Sequence, residues 1–238
     1  MGGVSDLQAV LFDYSGTLFR LEEDESWFAG MELDTPLSPD ANREIDGHVQ
    51  AELMRRLTAP TGHSVSMTPD ALDAWLNRDL APHLHREAYL HVLRESGLAH
   101  HHAESLYSRV IDPACWTPYP DTATVLDGLH RRGISTAVVS NIAFDVRPAF
   151  EVLGAAGHVD EFVLSFEVGA VKPDPAIFQT ALDRLGVAAD RALMVGDSDE
   201  ADGGARTLGC AFALVDPLPT AERKDGLVAA LWANGIQL

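Results

Sequence analysis

The chain has 238 residues, 46% hydrophobic and 22% charged, the make-up of a folded globular protein with one large domain or two modest ones. Its 36 acidic residues outnumber 17 basic ones for a net charge of -19, which offers no footing for nucleic acid or anionic lipid. Cys115 and Cys210 stand alone, outside any CxxC spacing or disulfide framework, and both read as small buried hydrophobes.

The first stretch, "MGGVSDLQAVLF", has no basic residue, and its apolar run is too short for a signal peptide or a membrane span, which predicts a reduced, cytoplasmic setting. Ala9, Val10, Leu11 and Phe12 are apolar without a break, the pattern of a strand covered on both faces. That strand stops at Asp13 and turns through Ser15, Gly16 and Thr17.

A helical region follows. Residues 38–57, 68–80, 82–97 and 102–111 carry amphipathic spacing, with N-cap chemistry at Ser38, Thr68 and Asp79 or nearby residues and first-turn prolines at Pro39, Pro69 and Pro82. The acidic run from Glu22 through Glu23 and Asp24 to Glu25 reads as a solvated face, and His100, His101 and His102 read as a solvated loop. Trp27, Phe28 and Met31 are expected to pack among the helices rather than line a pocket.

Further short apolar runs lie at 135–140, 161–165, 192–196 and 211–215, with helical spacing between them at 121–133 and 174–186, each closed by a glycine. Strand alternating with helix predicts an α/β doubly wound parallel sheet, Rossmann-like in architecture. More than a hundred residues separate the first strand from the second, too many for a crossover. We therefore expect a sheet core built from residues 1–19 and 116–238 and a helical insertion at 20–115 that covers the sheet edge.

In a parallel sheet the carboxyl ends of the strands share one edge. Asp13 and Thr17 after the first strand, Ser140 and Asn141 at the second, Lys172 in "GAVKPDP" and Asp197 and Asp202 in "GDSDEAD" are thereby brought to one crevice. These four segments, in this order, resemble the haloacid dehalogenase superfamily, and the insertion resembles its type I helical cap.

The resemblance implies a hydrolase with a Rossmann-like core and an inserted α-helical cap. It implies that Asp13 is the nucleophile, which attacks phosphorus and becomes a transient aspartyl phosphate. Thr17 and Ser140 would hold the transferring phosphoryl group, with Ser15, Gly16 and Asn141 around the substrate, and Lys172 would screen the facing negative charges. Mg2+ would be held by Asp13, the Ser15 carbonyl and Asp197, with Asp202 adjacent or behind. The implied partner is a small phosphorylated metabolite.

One position departs from this pattern. Phosphatases of the superfamily carry a second Asp two residues after the nucleophile, where it protonates the leaving alcohol and later activates water; here that residue is Ser15. Phosphonate-cleaving relatives use a cap lysine, but Lys172 and Lys224 are the only lysines and neither lies in the insertion. Haloacid dehalogenases place a Tyr there, whereas this chain has Tyr14 one residue earlier, on the opposite side of the strand. Ion-pumping ATPases place a Thr there, in proteins with membrane spans.

Unless the insertion supplies the missing acid, turnover should depend steeply on the leaving group. His83, His85, His91, the histidines at 100–102 and the acidic residues at 22–25 are the residues to weigh for that part. The reading is a Mg2+-dependent phosphatase; a phospho-ligand-binding or regulatory protein on the same fold is the alternative, and a 2-haloacid dehalogenase a more distant one.

Overall fold

The computed structural model describes residues 7–22, 24–34, 45–58 and 66–238. Strand β1 (Ala9–Phe12) is buried on both faces, as its unbroken apolar run requires. After the Asp13–Thr17 turn, β2 (Phe19–Arg20) pairs antiparallel with β3 (Thr117–Pro118), a two-stranded neck where the chain leaves and rejoins the sheet. Between these short strands lie α1 (Gly47–Thr58), α2 (Pro69–Leu76), α3 (Pro82–Glu95) and α4 (His100–Val110).

Beyond the neck the chain runs α5 (Thr122–Arg131), β4 (Ser135–Ser140), α6 (Arg147–Leu153), β5 (Glu161–Leu164), α7 (Ser165–Val168), α8 (Pro175–Leu185), β6 (Ala192–Gly196), β7 (Ala211–Leu214) and α9 (Gly226–Ala233). Five strands form one parallel sheet in the order β5-β4-β1-β6-β7. Alternate side chains of β1 serve different cores. Val10 and Phe12 pack with Val125, Leu129, Phe150 and Leu227 on one face, while Leu11 packs with Val139, Ile177, Phe178 and Met194 on the other.

Register then fixes the site. Phe12 lies opposite Val138 of β4 and Val195 of β6, so Asp13, Ser140 and Asp197 emerge from three adjacent strands at nearly one level. The amide of Asp13 donates to the Val195 carbonyl at 3.0 Å and carries the ladder one residue past the strand.

The helices between β2 and β3 bury a cluster of their own, in which Leu53, Leu57, Leu93 and Leu106 meet Trp27 and Phe28, with Met31 packed against it. They dock on the carboxyl edge of the sheet through the 3-10 turn at Arg78–Leu80. There the Ser165 hydroxyl donates to the Asp79 carbonyl at 2.5 Å and accepts from the Ile142 amide at 2.9 Å.

Several local expectations are corrected. The helix expected over 38–57 begins at Gly47, where the Asp46 carboxylate accepts from the amides of His48 and Val49; residues 38–44, with Ser38 and Pro39, lie outside the described residues. The helix expected to run to residue 80 stops at Leu76, because the Asn77 side chain bonds the Asp73 carbonyl and Ala81, ahead of Pro82, is extended. Thr68 does cap α2, but Asp79 caps nothing: Ala81 occupies the N-cap of α3 without a side-chain bond.

His100, His101 and His102 form the first turn of α4 rather than a loop. The buried Ala103, Leu106, Tyr107 and Val110 anchor that helix, and no breaker in the histidine run stops it short of Ala99. Cys210 is buried as expected, whereas Cys115 is only partly so. No helix among the described residues is long and apolar enough to cross a membrane.

Candidate active site

Asp13 caps the carboxyl end of β1, and its Oδ1 accepts a hydrogen bond from Lys172 Nζ at 2.6 Å. The same ammonium donates to Asp202 Oδ1 at 2.6 Å, and Asp202 Oδ2 accepts from the Ser198 amide at 3.0 Å. All three residues are nearly sealed from solvent, with relative exposures of 6% for Asp13, 5% for Lys172 and 1% for Asp202.

Asn141 fixes the lysine from below: its Oδ1 accepts from the Lys172 amide at 2.7 Å and its Nδ2 donates to the Lys172 carbonyl at 2.9 Å. The Asn141 amide, expected among the substrate contacts, is thus engaged in holding the lysine. Gly16 has φ +74 and a Cβ there would lie 2.4 Å from Asp197 Oδ2, so no other residue lets the turn pass this close to the carboxylate.

One cavity of about 550 Å3 gathers most of the expected residues, among them Asp13, Ser15, Ser140, Lys172, Asp197 and Asp202. Asn141 also lines it, and Gly16 lines an adjoining cavity. Thr17 is fully buried and lines neither; its Oγ1 has no hydrogen-bond partner among the described residues. Tyr14 turns away into the core, stacked on Phe19 at 5.0 Å.

Arg223, from the far end of the chain, grips the motif turn. Its guanidinium donates to the carbonyls of Gly16 (2.7 Å), Thr17 and Asp216 (3.1 Å) and stacks on the Tyr119 ring. No motif surrounds it in the sequence, so nothing there singled it out.

The electrostatics follow from the inventory. Three carboxylates share a buried pocket with one ammonium, a net excess of two negative charges when all three are ionised. Burial, reinforced by Asp202 and opposed by Lys172, pushes Asp13 up to about 6. Burial together with the charges of Asp13 and Asp202 pushes Asp197 up to about 7. Burial works against the Lys172 charge, yet the two carboxylates outweigh it and hold its pKa above the ordinary lysine range.

A small divalent cation fits this imbalance. Oxygens of Asp13, Asp197 and Asp202 lie within 4.8 Å of one another, an all-oxygen set of the kind that Mg2+ takes. Because both Asp202 oxygens are occupied by Lys172 and Ser198, Asp13 and Asp197 are the better placed to reach an ion.

A pH dependence follows. Carboxyls whose folded pKa lies above the ordinary 3.8 contribute stability that is fully present below that value and lost as pH rises through about 6 to 7. In chelator, the cluster should therefore lower Tm by roughly 5–10 °C between pH 5 and pH 8. Mg2+ should restore most of this at pH 8 and little at pH 5; thermal melts in which Mg2+ acts equally at both would contradict it.

The family profile described as haloacid dehalogenase-like hydrolase matches residues 7–206. The chain belongs to this hydrolase family. Among the family's proteins it is 34% identical over 150 residues to a phosphoserine phosphatase of Thermus thermophilus, covering 62% of this chain and 58% of that one. The chain thus spans less than two thirds of that relative's length. It is 28% identical over 223 residues to a glyceraldehyde 3-phosphate phosphatase of Methanothermobacter thermautotrophicus, covering 92% of this chain and 90% of that one. The L-2-haloacid dehalogenase of Xanthobacter autotrophicus shares the fold, with a TM-score of 0.61 at 23% identity over 94% of this chain and 83% of that one.

Proposed function

We propose that the protein is a Mg2+-dependent phosphatase that acts on a small phosphorylated metabolite through an aspartyl phosphate on Asp13. The observation that carries this reading is the Lys172 ammonium held between Asp13 and Asp202, with Asp197 completing a cluster of three carboxylates within 4.8 Å that suits a divalent cation. The phosphatase names of its sequence relatives support it.

In this mechanism Asp13 attacks phosphorus, the bond from phosphorus to the leaving oxygen breaks, and its electron pair stays on that oxygen. Water then attacks the phosphorus of the aspartyl phosphate, releasing phosphate and restoring the Asp13 carboxylate. Asp13, Asp197 and the Ser15 carbonyl would hold Mg2+, which when bound supplies charge neutralisation for the incoming phosphoryl oxygens. Lys172 keeps the attacking carboxylate and the phosphoryl group from repelling one another. Ser140, at the cavity wall, is assigned to the phosphoryl oxygens; Thr17, fully buried and off both cavities, belongs to the turn that Arg223 holds.

Residues 20–115 act as the cap and residues 1–19 with 116–238 as the catalytic core. The two unpaired cysteines favour a reducing compartment such as the cytoplasm. Dehalogenation is disfavoured by Tyr14, which is buried away from the cavity, and by the acidic fourth motif. The test is a screen of phosphorylated metabolites with and without Mg2+. Phosphate release that stops in chelator is expected, while tight binding without release would favour the regulatory alternative.

A further inference from the structure

The missing acid can be sought among the residues that face the reacting atoms. Among the described residues weighed from the sequence, His85 is the one that lines either of the two cavities at the site, and burial drives it down to about 3, so it stays neutral with Nδ1 3.0 Å from the Tyr107 hydroxyl. His83, His91 and the α4 histidines line neither cavity. Glu22 bonds the Thr220 amide and Asp24 caps its own turn; Glu23 and the Glu25 side chain lie outside the described residues.

A second cavity, of about 350 Å3, adjoins the first and is walled largely by Leu21, Leu57, Val110, Trp116, Ile142 and Phe144, with Arg20 and His85 also on its lining. Such a chamber takes the apolar organic part of a phosphate ester, while the cavity around Asp13 and Lys172 takes the phosphoryl group. The scissile oxygen then lies where the two meet. Ser15, Asp79, Tyr89, Asn141 and Asp197 line both cavities and so mark that junction.

Of these five, Asn141 is engaged by Lys172, Asp197 belongs to the acidic cluster, and Ser15 is no acid. Tyr89 is pushed up to about 12 by burial and keeps its proton. That leaves Asp79, whose backbone is tied to the sheet edge by Ser165. Its carboxylate is 3.7 Å from the Arg78 guanidinium; Lys172 and Tyr89 also act on it electrostatically, and it shares the walls of the two cavities with Arg20, His85, Asp13, Asp197, Asp199, Glu200 and Asp202. Burial raises its pKa, against the pull of Arg78 and Lys172.

We propose that Asp79, delivered from the helical insertion, is the general acid and base that Ser15 cannot be, for esters whose apolar alcohol occupies the adjoining cavity. The proposal rests on the aspartyl-phosphate reading. As the phosphorus–oxygen bond breaks, the Asp79 carboxyl gives its proton to the leaving oxygen. Asp79 carboxylate then takes a proton from the water that attacks the aspartyl phosphate, and both residues return to their starting states. The steep leaving-group dependence expected from Ser15 alone is thereby removed from the wild-type enzyme.

Two aromatic esters that fit the same chamber provide the test: nitrophenyl phosphate, whose leaving group needs no proton, and benzyl phosphate, whose leaving group does. In Asp79→Asn, kcat/KM for benzyl phosphate should fall about 100- to 10,000-fold and that for nitrophenyl phosphate less than about 10-fold. Adding Ser15→Asp to that variant should recover at least about 10-fold on benzyl phosphate. If Asp79→Asn fails to fold, Asp79→Ser carries the same comparison. Equal losses on both esters in an enzyme that still needs Asp13, or the same selective loss in Tyr89→Phe and not at Asp79, would overturn the assignment. Full turnover in Asp13→Asn would instead bring down the covalent reading beneath it.

Discussion

Asp13→Asn is expected to abolish turnover, by at least about 10,000-fold in kcat, while raising Tm in chelator at pH 8. The two effects have one cause. The side chain that attacks phosphorus is also one of three carboxylates confined with a single ammonium, and burial with Asp202 already pushes it up to about 6. An amide of the same shape removes the attacking charge and relieves repulsion on Asp197, while Lys172 keeps Asp202 as its partner at 2.6 Å. Parallel assays and melts check both effects. A variant that was inactive but strongly destabilised would mean that Asp13 serves chiefly to anchor Lys172.

Lys172→Met should do the reverse to stability. Removing one member of a buried ionic network strands the others, which typically costs about 3–5 kcal/mol, or on the order of 10 °C in Tm for a chain of this size. Here the stranded groups are Asp13, Asp197 and Asp202, within 4.8 Å of one another. The loss should be larger at pH 8 than at pH 5, where Asp13 and Asp197 can take up protons, and Mg2+ should recover part of it. Activity should fall at least about 100- to 1,000-fold, since attacking carboxylate and phosphoryl oxygens would meet unscreened. Melts at the two pH values that showed no loss would contradict the charge balance drawn for the site.

Much of this was legible in the sequence for a definite reason. Four apolar residues in a row at 9–12, closed by a Gly-containing turn and followed by apolar runs that alternate with helical segments, fit a doubly covered strand, and parallel strands put their carboxyl ends on one edge. Asp13, Ser140, Lys172, Asp197 and Asp202 could thus be drawn together across nearly two hundred positions, and the structure brings them round one cavity.

What was not legible depends on contacts that periodicity does not encode. Asp79 stands three residues before Pro82 and reads as a cap, but the helix ends early, with Asn77 as its C-cap, and Asp79 comes to line the crevice. Arg223 lies in a polar tail segment and matters only because the fold returns it to the Gly16 and Thr17 carbonyls. Asn141 is next to the expected Ser140, yet its part in clamping Lys172 needs both loops in place.

The covalent step on Asp13 is tested most directly by trapping it. The protein would be mixed with Mg2+ and nitrophenyl phosphate, quenched in acid, digested and analysed by mass spectrometry. The peptide containing Asp13 should gain the mass of one phosphoryl group, transiently in the wild type, for longer in Asp79→Asn and not at all in Asp13→Asn. Rapid turnover with no phosphoryl group on that peptide at any quench time, or with the group on another residue, would contradict nucleophilic attack by Asp13.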